Sequence, residues 1–339
     1  MEEHKGLALF SGGLDSLLAI RLLREQERPV EAVHLMLPFT RSATREGRDK
    51  IKETAAQLDV KLHMLSPGPD LAEMIARPKF GHGKNFNPCQ DCRIYQLRKA
   101  AELMPSVGAS YLVTGEVVGQ RPMSQRREAL FITDREAGMR GLVLRPLSAH
   151  RLPSTIPEER GWVDRSRLLG LSGRGRMPQE ALAREWGLSY PAPGGGCLLT
   201  YKEYADRYRS LLDLFGAIDL ADIPLVGLGR HFRLAQTQVI IGRNQAENKA
   251  LAQHFHQRHD GRGLMQVRGV PGPLTLILGE PCQEQLDQAA SLTARYADHA
   301  SDEPVLVRLL HCSERGVGRI EIAAIPAQEG VLAGWRVNN

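Results

Sequence analysis

Short apolar runs alternating with amphipathic stretches set the pattern of the first third of the chain. Gly6-Leu7-Ala8-Leu9-Phe10 has the compact apolar character of a buried strand, and Leu14, Leu17, Leu18 and Leu22 follow at helical spacing. Val30 to Leu37 reads as a second strand, with Val30, Ala32, Val33 and Leu35 apolar. A helix from about Arg48 to Leu58 and a strand from Val60 to Leu65 continue the alternation, and Tyr111-Leu112-Val113-Thr114 is a later buried strand. Strand and helix in alternation imply parallel pairing, so the expected class is α/β, a doubly wound parallel sheet with ligands at the carboxyl ends of its strands.

From about Arg145 the pattern loosens. Arg145-Pro146-Leu147, Leu152-Pro153 and Ile156-Pro157 interrupt any long element. A helix starts near Pro178 and closes at Trp186-Gly187-Leu188, and Pro191 to Gly196 has no regular option. A domain junction is expected between Tyr201 and Arg209. Beyond it, Gln238 to Ile241, Leu274 to Leu278, Val305 to Leu310 and Ile320 to Ile325 are β-like, and Gln245 to His256 has helical spacing. The expected organisation is residues 1–200 as one domain and 209–339 as a second, smaller α+β domain.

A chain of 339 residues can hold two cores, and 42% hydrophobic with 24% charged residues is ordinary for a soluble protein. No apolar run approaches the roughly 20 residues of a membrane span. The polar start, Met1-Glu2-Glu3-His4-Lys5, does not read as a signal peptide, so a cytoplasmic protein is expected. The net charge of +5 is unevenly spread. Arg121 to Arg176 holds twelve arginines against six acidic residues, and Arg230 to Arg268 seven basic residues against two. Solvated helix faces are the ordinary explanation of one charge run. Two blocks dominated by arginine and interrupted by Gly and Pro point to a polyanion, with Arg126, Arg127, Arg243, Asn244 and Arg268 as candidate RNA contacts.

Ser11-Gly12-Gly13-Leu14-Asp15-Ser16 joins the first strand to the first helix. Its glycines let backbone approach an anion, its hydroxyls add donors, and the helix N-terminus aims N–H groups at a phosphate. Asp15 would repel that phosphate unless magnesium lies between them. A second chemistry comes from five cysteines, an odd number that argues against a disulfide framework. Cys89-Gln90-Asp91-Cys92 sets two thiols at a helix entry, where a lowered thiol pKa is expected. Cys197 follows Gly194-Gly195-Gly196. Two thiols suffice for a persulfide pair, whereas three suit an iron–sulfur cluster with one open iron. Zinc would need a fourth ligand, for which His82 is nearest in sequence. Cys282 and Cys312 carry no motif and are expected to be buried apolar residues.

The hexapeptide resembles the pyrophosphatase loop of PP-loop ATPases. Together with Cys89-Gln90-Asp91-Cys92, Thr114-Gly115-Glu116, Gly119-Gln120 and Arg145-Pro146-Leu147 it resembles the PP-loop tRNA thiolation enzymes over residues 5 to 200. The Thr-Gly-Glu…Gly-Gln stretch is similar to that of 4-thiouridine synthases, and the spacing of the cysteines resembles that of 2-thiouridylases. In departure from the 4-thiouridine synthases, neither a THUMP domain before Ser11 nor a C-terminal rhodanese-like domain is expected. Val239 to Asn248, with Val267 to Pro273, resembles the NFACT-R RNA-binding module.

The resemblance implies adenylation of a tRNA uridine oxygen by ATP and Mg2+, then sulfur transfer. Ser11, Gly12, Gly13, Asp15, Ser16, Gly115, Glu116 and Gln120 would serve the nucleotide or uridine pocket. Asp15 would act with Cys89, Cys92 and Cys197 in catalysis, the three cysteines holding a 4Fe-4S cluster or two of them carrying a persulfide. A cysteine desulfurase or inorganic sulfide would supply sulfur. The alternatives are a 2-thiouridylase, a PP-loop amide-forming ligase and a non-catalytic RNA-binding factor.

Overall fold

The computed structural model describes residues 4–192, 196–258, 260–298, 303–313 and 316–337. The chain divides into two compact units, Met1–Thr200 and Tyr201–Asn339.

In the first unit, β1 (Lys5–Leu9), β2 (Val30–Leu35), β3 (Leu62–Leu65), β4 (Ala109–Thr114) and β5 (Val143–Leu144) form one sheet. Its order is β3-β2-β1-β4-β5 and every pairing is parallel. The helices are α1 (Leu14–Arg24), α2 (Arg45–Ala56), α3 (Asp70–Ala76), α4 (Cys89–Val107), α5 (Arg127–Glu136), α6 (Ile156–Glu159) and α7 (Met177–Glu185). Ala8, Ala32, Tyr111 and Val113 pack with Leu17, Ile20 and Leu23 of α1 and Ile51 of α2. From the neighbouring strand positions, Leu7, Val33, Leu112 and Val143 pack with Leu97, Ala100 and Met104 of α4. Burial on both faces explains why these strands read as unbroken apolar runs. This is the doubly wound α/β class. The order reverses between β1 and β4, the switch point at which doubly wound sheets bind ligands beyond the strands' carboxyl ends.

The second unit holds α8 (Lys202–Phe215), β6 (Arg230–Leu234), β7 (Thr237–Ile241), α9 (Gln245–Gln257), β8 (Gly263–Val267), β9 (Thr275–Gly279), α10 (Gln283–Arg295), β10 (Val305–Ser313), β11 (Gly316–Ala324) and α11 (Glu329–Trp335). Its sheet, ordered β11-β10-β8-β9-β7-β6, is antiparallel throughout. Phe232, Val239, Met265, Ile277, Val307 and Leu309 form one core with Ala289, Ala290 and Leu292 of α10. The stretch read as a junction, Tyr201 to Arg209, is mostly the first turns of α8. That helix buries Tyr204, Ala205, Tyr208 and Leu211 at helical spacing beneath a charged outer face. α10 and α11 accompany the one helix expected in this domain.

Candidate nucleotide and sulfur site

The nest is built where β1 hands over to α1. Gly12 has φ +73°, a conformation that side chains with a Cβ rarely adopt, and Gly13 caps the helix in extended backbone. Ser16 Oγ donates to the Gly13 carbonyl at 2.8 Å, and Ser11 Oγ accepts from the Gly13 N–H at 3.3 Å. These bonds pin the turn and leave the first N–H groups of α1 facing outward. The register Leu9↔Thr114 sets the ends of β1 and β4 side by side. A Cβ on Gly115 would lie 2.5 Å from the carbonyl of Asp15 and 2.6 Å from the Ser16 nitrogen, so only glycine admits this approach.

Asp15 stands at the mouth of this turn with 18% of its side chain exposed. Its Oδ2 accepts from Gln120 Nε2 at 2.8 Å and from Arg176 Nη2 at 3.2 Å. Its Oδ1 is buried without a hydrogen-bond partner. An orphaned carboxylate oxygen beside an anion nest is a natural cation ligand, so the residues fit a magnesium ion. Gln120 therefore orients Asp15 and is itself held by Gln179 Nε2 at 3.4 Å. Arg176 and Gln179, on either side of the start of α7, were not anticipated, because no spacing in the sequence ties them to residue 15.

Glu116, read either as a residue of the nucleotide or uridine pocket or as a structural one, is bound by the protein's own side chains. It is fully buried, and its oxygens accept from Arg93 Nε at 2.7 Å, Arg145 Nε at 3.0 Å and Thr114 Oγ1 at 3.0 Å. Burial opposes its charge, but the two guanidinium groups outweigh that and hold its pKa down at about 2. Arg145 forks in turn onto Asp134, at 2.8 and 2.7 Å.

The paired thiols lie in the first turn of α4. Asn87 Nδ2 donates to Cys89 Sγ at 3.1 Å and Gln96 Nε2 to Cys92 Sγ at 3.2 Å. Asp91 fastens the preceding loop by accepting from the backbone of Lys79 and Phe80. Cys197 is brought back to this region by a bridge to Thr40, a bond from Leu198 N to the Phe39 carbonyl and one from Phe86 N to the Leu199 carbonyl. Gly194 and Gly195 lie outside the described residues.

The lowered thiol pKa expected at the helix entry is reversed at Cys92. Burial pushes Cys92 up to about 11, and burial with the charges of Cys92 and Cys89 pushes Cys197 up to about 12. Three mutually influencing thiols with amide donors on two sulfurs have the donor chemistry of a thiolate-ligated cluster. Among the described residues, no three His, Cys, Asp or Glu side chains converge closely enough to hold a metal ion. His82, the nearest candidate fourth ligand for zinc, donates its Nε2 proton to the Ile75 carbonyl and stacks its ring on Phe86. Cys282, expected to be buried, is exposed at the cap of α10, and the side chain of Cys312 lies outside the described residues.

Of the candidate RNA contacts, Arg126 and Arg127 are exposed at the start of α5, with Arg127 5.9 Å from the Phe131 ring centre. In the second unit Arg243 pairs with Glu247, Asn244 caps α9 by accepting from Glu247 N at 3.0 Å, and Arg268 pairs with Glu321 at 2.9 Å. Exposed pairs of this kind are worth at most about 1 kcal/mol, so a phosphate can compete for either arginine.

Residues 2–151 match the family model described as thiamine biosynthesis protein (ThiI), and residues 229–336 that of the NFACT protein RNA binding domain. The tRNA-specific 2-thiouridylase MnmA of Lawsonia intracellularis is 31% identical over 115 residues, 32% of each chain. That of Dehalococcoides mccartyi is 28% identical over 122 residues, 32% of this chain and 33% of its own. This chain thus spans about a third of the length of the curated relatives it matches. A 4-thiouridine synthetase–RNA complex with bound ATP is 19% identical, with TM-score 0.40 over 66% of this chain and 52% of that one. The U34-tRNA thiolase NcsA of Methanococcus maripaludis with its [4Fe-4S] cluster is 15% identical, with TM-score 0.35 over 66% and 71%. The resemblance to PP-loop tRNA thiolation enzymes, with an NFACT-type RNA-binding module, rests on the two family models and the relatives matched in sequence.

Proposed function

We propose that this chain, a ThiI-type PP-loop domain joined to an NFACT-type RNA-binding domain, is a cytoplasmic ATP-dependent tRNA uridine thiolase that forms 4-thiouridine. One chain of contacts carries the reading. Cys92 is followed by Arg93, Arg93 bonds Glu116, and Glu116 follows the Gly115 that packs on Asp15. A sulfur-bearing helix is thereby tied to a phosphate nest inside one unit. An amide-forming ligase or a bare RNA-binding factor has no use for that connection.

ATP binds with its phosphates on the Ser11–Ser16 turn. The uridine carbonyl oxygen attacks the α-phosphate, and pyrophosphate departs against the N–H groups of α1. Asp15 Oδ1 would hold magnesium, which neutralises phosphate charge when bound. Cys89, Cys92 and Cys197 would hold a 4Fe-4S cluster, which offers sulfide at an open iron when bound. Sulfur then displaces AMP from the activated carbon. tRNA is gripped by the second domain, and sulfur is drawn from a cysteine desulfurase or inorganic sulfide.

Mass analysis of tRNA nucleosides from a deletion strain tests the proposal: 4-thiouridine should vanish. Loss of 2-thiouridine in its place would assign the 2-thiouridylase reaction, and no loss of a thionucleoside, with no tRNA-stimulated AMP release, would overturn the thiolase reading.

A further inference from the structure

A cavity of about 360 Å3 opens beside α5 in the first unit, lined by no residue of the Ser11–Ser16 turn and by none of the cysteines. Phe131, Leu152 and Pro153 form its apolar wall, Arg135 and Arg140 its polar rim, and Arg145 its back. That volume is in the range of small-ligand sites and suits a single nucleotide.

Phe131 is 42% exposed although it is large and apolar. On α5 it stands between Arg127 and Arg135, each four residues away, so an open ring lies between two guanidinium groups on one helix face. An exposed ring flanked by arginine is the arrangement on which bases stack. Arg135 makes a 3.3 Å pair with Glu136, whose charge Lys79 also meets at 2.6 Å, and the acids lining the cavity do not cancel this field. Asp134 is committed to Arg145, and Glu158 to Arg165 and Thr155. Among the described residues Arg140 makes no ion pair. The occupant that complements a flat apolar wall and a cationic rim carries a π-face and a negative charge.

We propose that this cavity takes one unstacked nucleotide of the bound tRNA, its base on Phe131 and its phosphate on Arg135 and Arg140. The inference rests on the thiolase reading and deepens it. Arg145, at the back of the cavity, bonds Glu116, which bonds Arg93 beside Cys92. A nucleotide held there is registered against the sulfur-bearing helix through one continuous ionic network.

The test uses the full chain and unmodified tRNA, with the dissociation constant followed by fluorescence anisotropy over a series of salt concentrations and ATP binding as the folding control. Phe131→Ala should weaken tRNA binding at least about fivefold while Phe131→Trp, which keeps a stacking surface, should bind like wild type. Arg135→Ala with Arg140→Ala should lower the salt slope by about 0.7 to 0.9 for each phosphate that is no longer neutralised. Wild-type tRNA binding together with unchanged affinity and slope in these variants overturns the cavity assignment and leaves the thiolase reading standing. Absence of tRNA binding by the wild-type chain overturns both.

Discussion

At Asp15 one carboxylate oxygen serves Gln120 and Arg176 while the other is buried and unpartnered. Asp15→Ala should therefore lower tRNA-dependent pyrophosphate release by about 100-fold or more. It should change stability by no more than about 1 kcal/mol, since the Arg176 pair is only partly buried. Release at near the wild-type rate would take Asp15 out of the reaction. Glu116 presents the reverse case, structural and fully enclosed. Glu116→Gln removes one of the two carboxylates paired with buried Arg145, Asp134 remaining, and weakens the bond to Arg93, so it should cost about 1–3 kcal/mol. The wild-type carboxyl, held below its ordinary 4.5, adds stability above that pH, and this is lost as pH falls toward about 2. A melting-temperature series should show the decline in wild type and a shallower one in the variant; parallel curves would contradict the linkage. Both residues stand in recognisable motifs, and the motif told their neighbourhood correctly. It could not tell which carboxylate keeps an unpartnered oxygen, because that depends on Arg93 and Arg145, distant in sequence.

Among elements, α4 carries two of the three candidate sulfur ligands, and burial holds the Cys92 thiol protonated. Metal loading must then release protons and should weaken as pH falls. Anaerobically purified protein should be brown and contain iron and acid-labile sulfide. Cys89→Ala, Cys92→Ala and Cys197→Ala should each lose colour and thiolation, whereas Cys282→Ala, altering an exposed helix cap, should lose neither. Zinc or no metal in the anaerobic protein, or thiolation by Cys89→Ala, would shift the assignment to a two-thiol persulfide relay. The parallel strands were readable because burial on both faces leaves unbroken apolar runs such as Gly6 to Phe10. α8 was hidden by its charged residues, Lys202, Glu203, Asp206, Arg207 and Arg209, although Tyr204, Tyr208 and Leu211 carried the helical period. α10 was hidden differently, by burying mainly small residues, Ala289, Ala290 and Ala294, that give a weak apolar signal.

For the whole molecule, the structural boundary at Thr200 and Tyr201 is the better place to cut, because a cut near Arg209 would split α8. Residues 1–200 alone should bind ATP like the full chain but hold tRNA more weakly and with a shallower salt dependence, the Arg230–Arg268 block being gone. Equal tRNA affinity and salt slope in the two proteins would remove the second domain from RNA binding.

The central position of β1 also dictates when, during synthesis, the phosphate nest can exist. Its neighbour β2 is complete by Leu35, but its other neighbour is β4, and the wall formed by Gly115 arrives about a hundred residues later. The nest is thus a late product of a non-local closure, the slow class of folding event. Ribosome-arrested chains stopped before residue 109 should collapse around β1, β2 and β3 without being retained on an ATP resin. Chains long enough to expose β5 as well should be retained, so newly made protein gains its nucleotide only after most of the first domain has been translated.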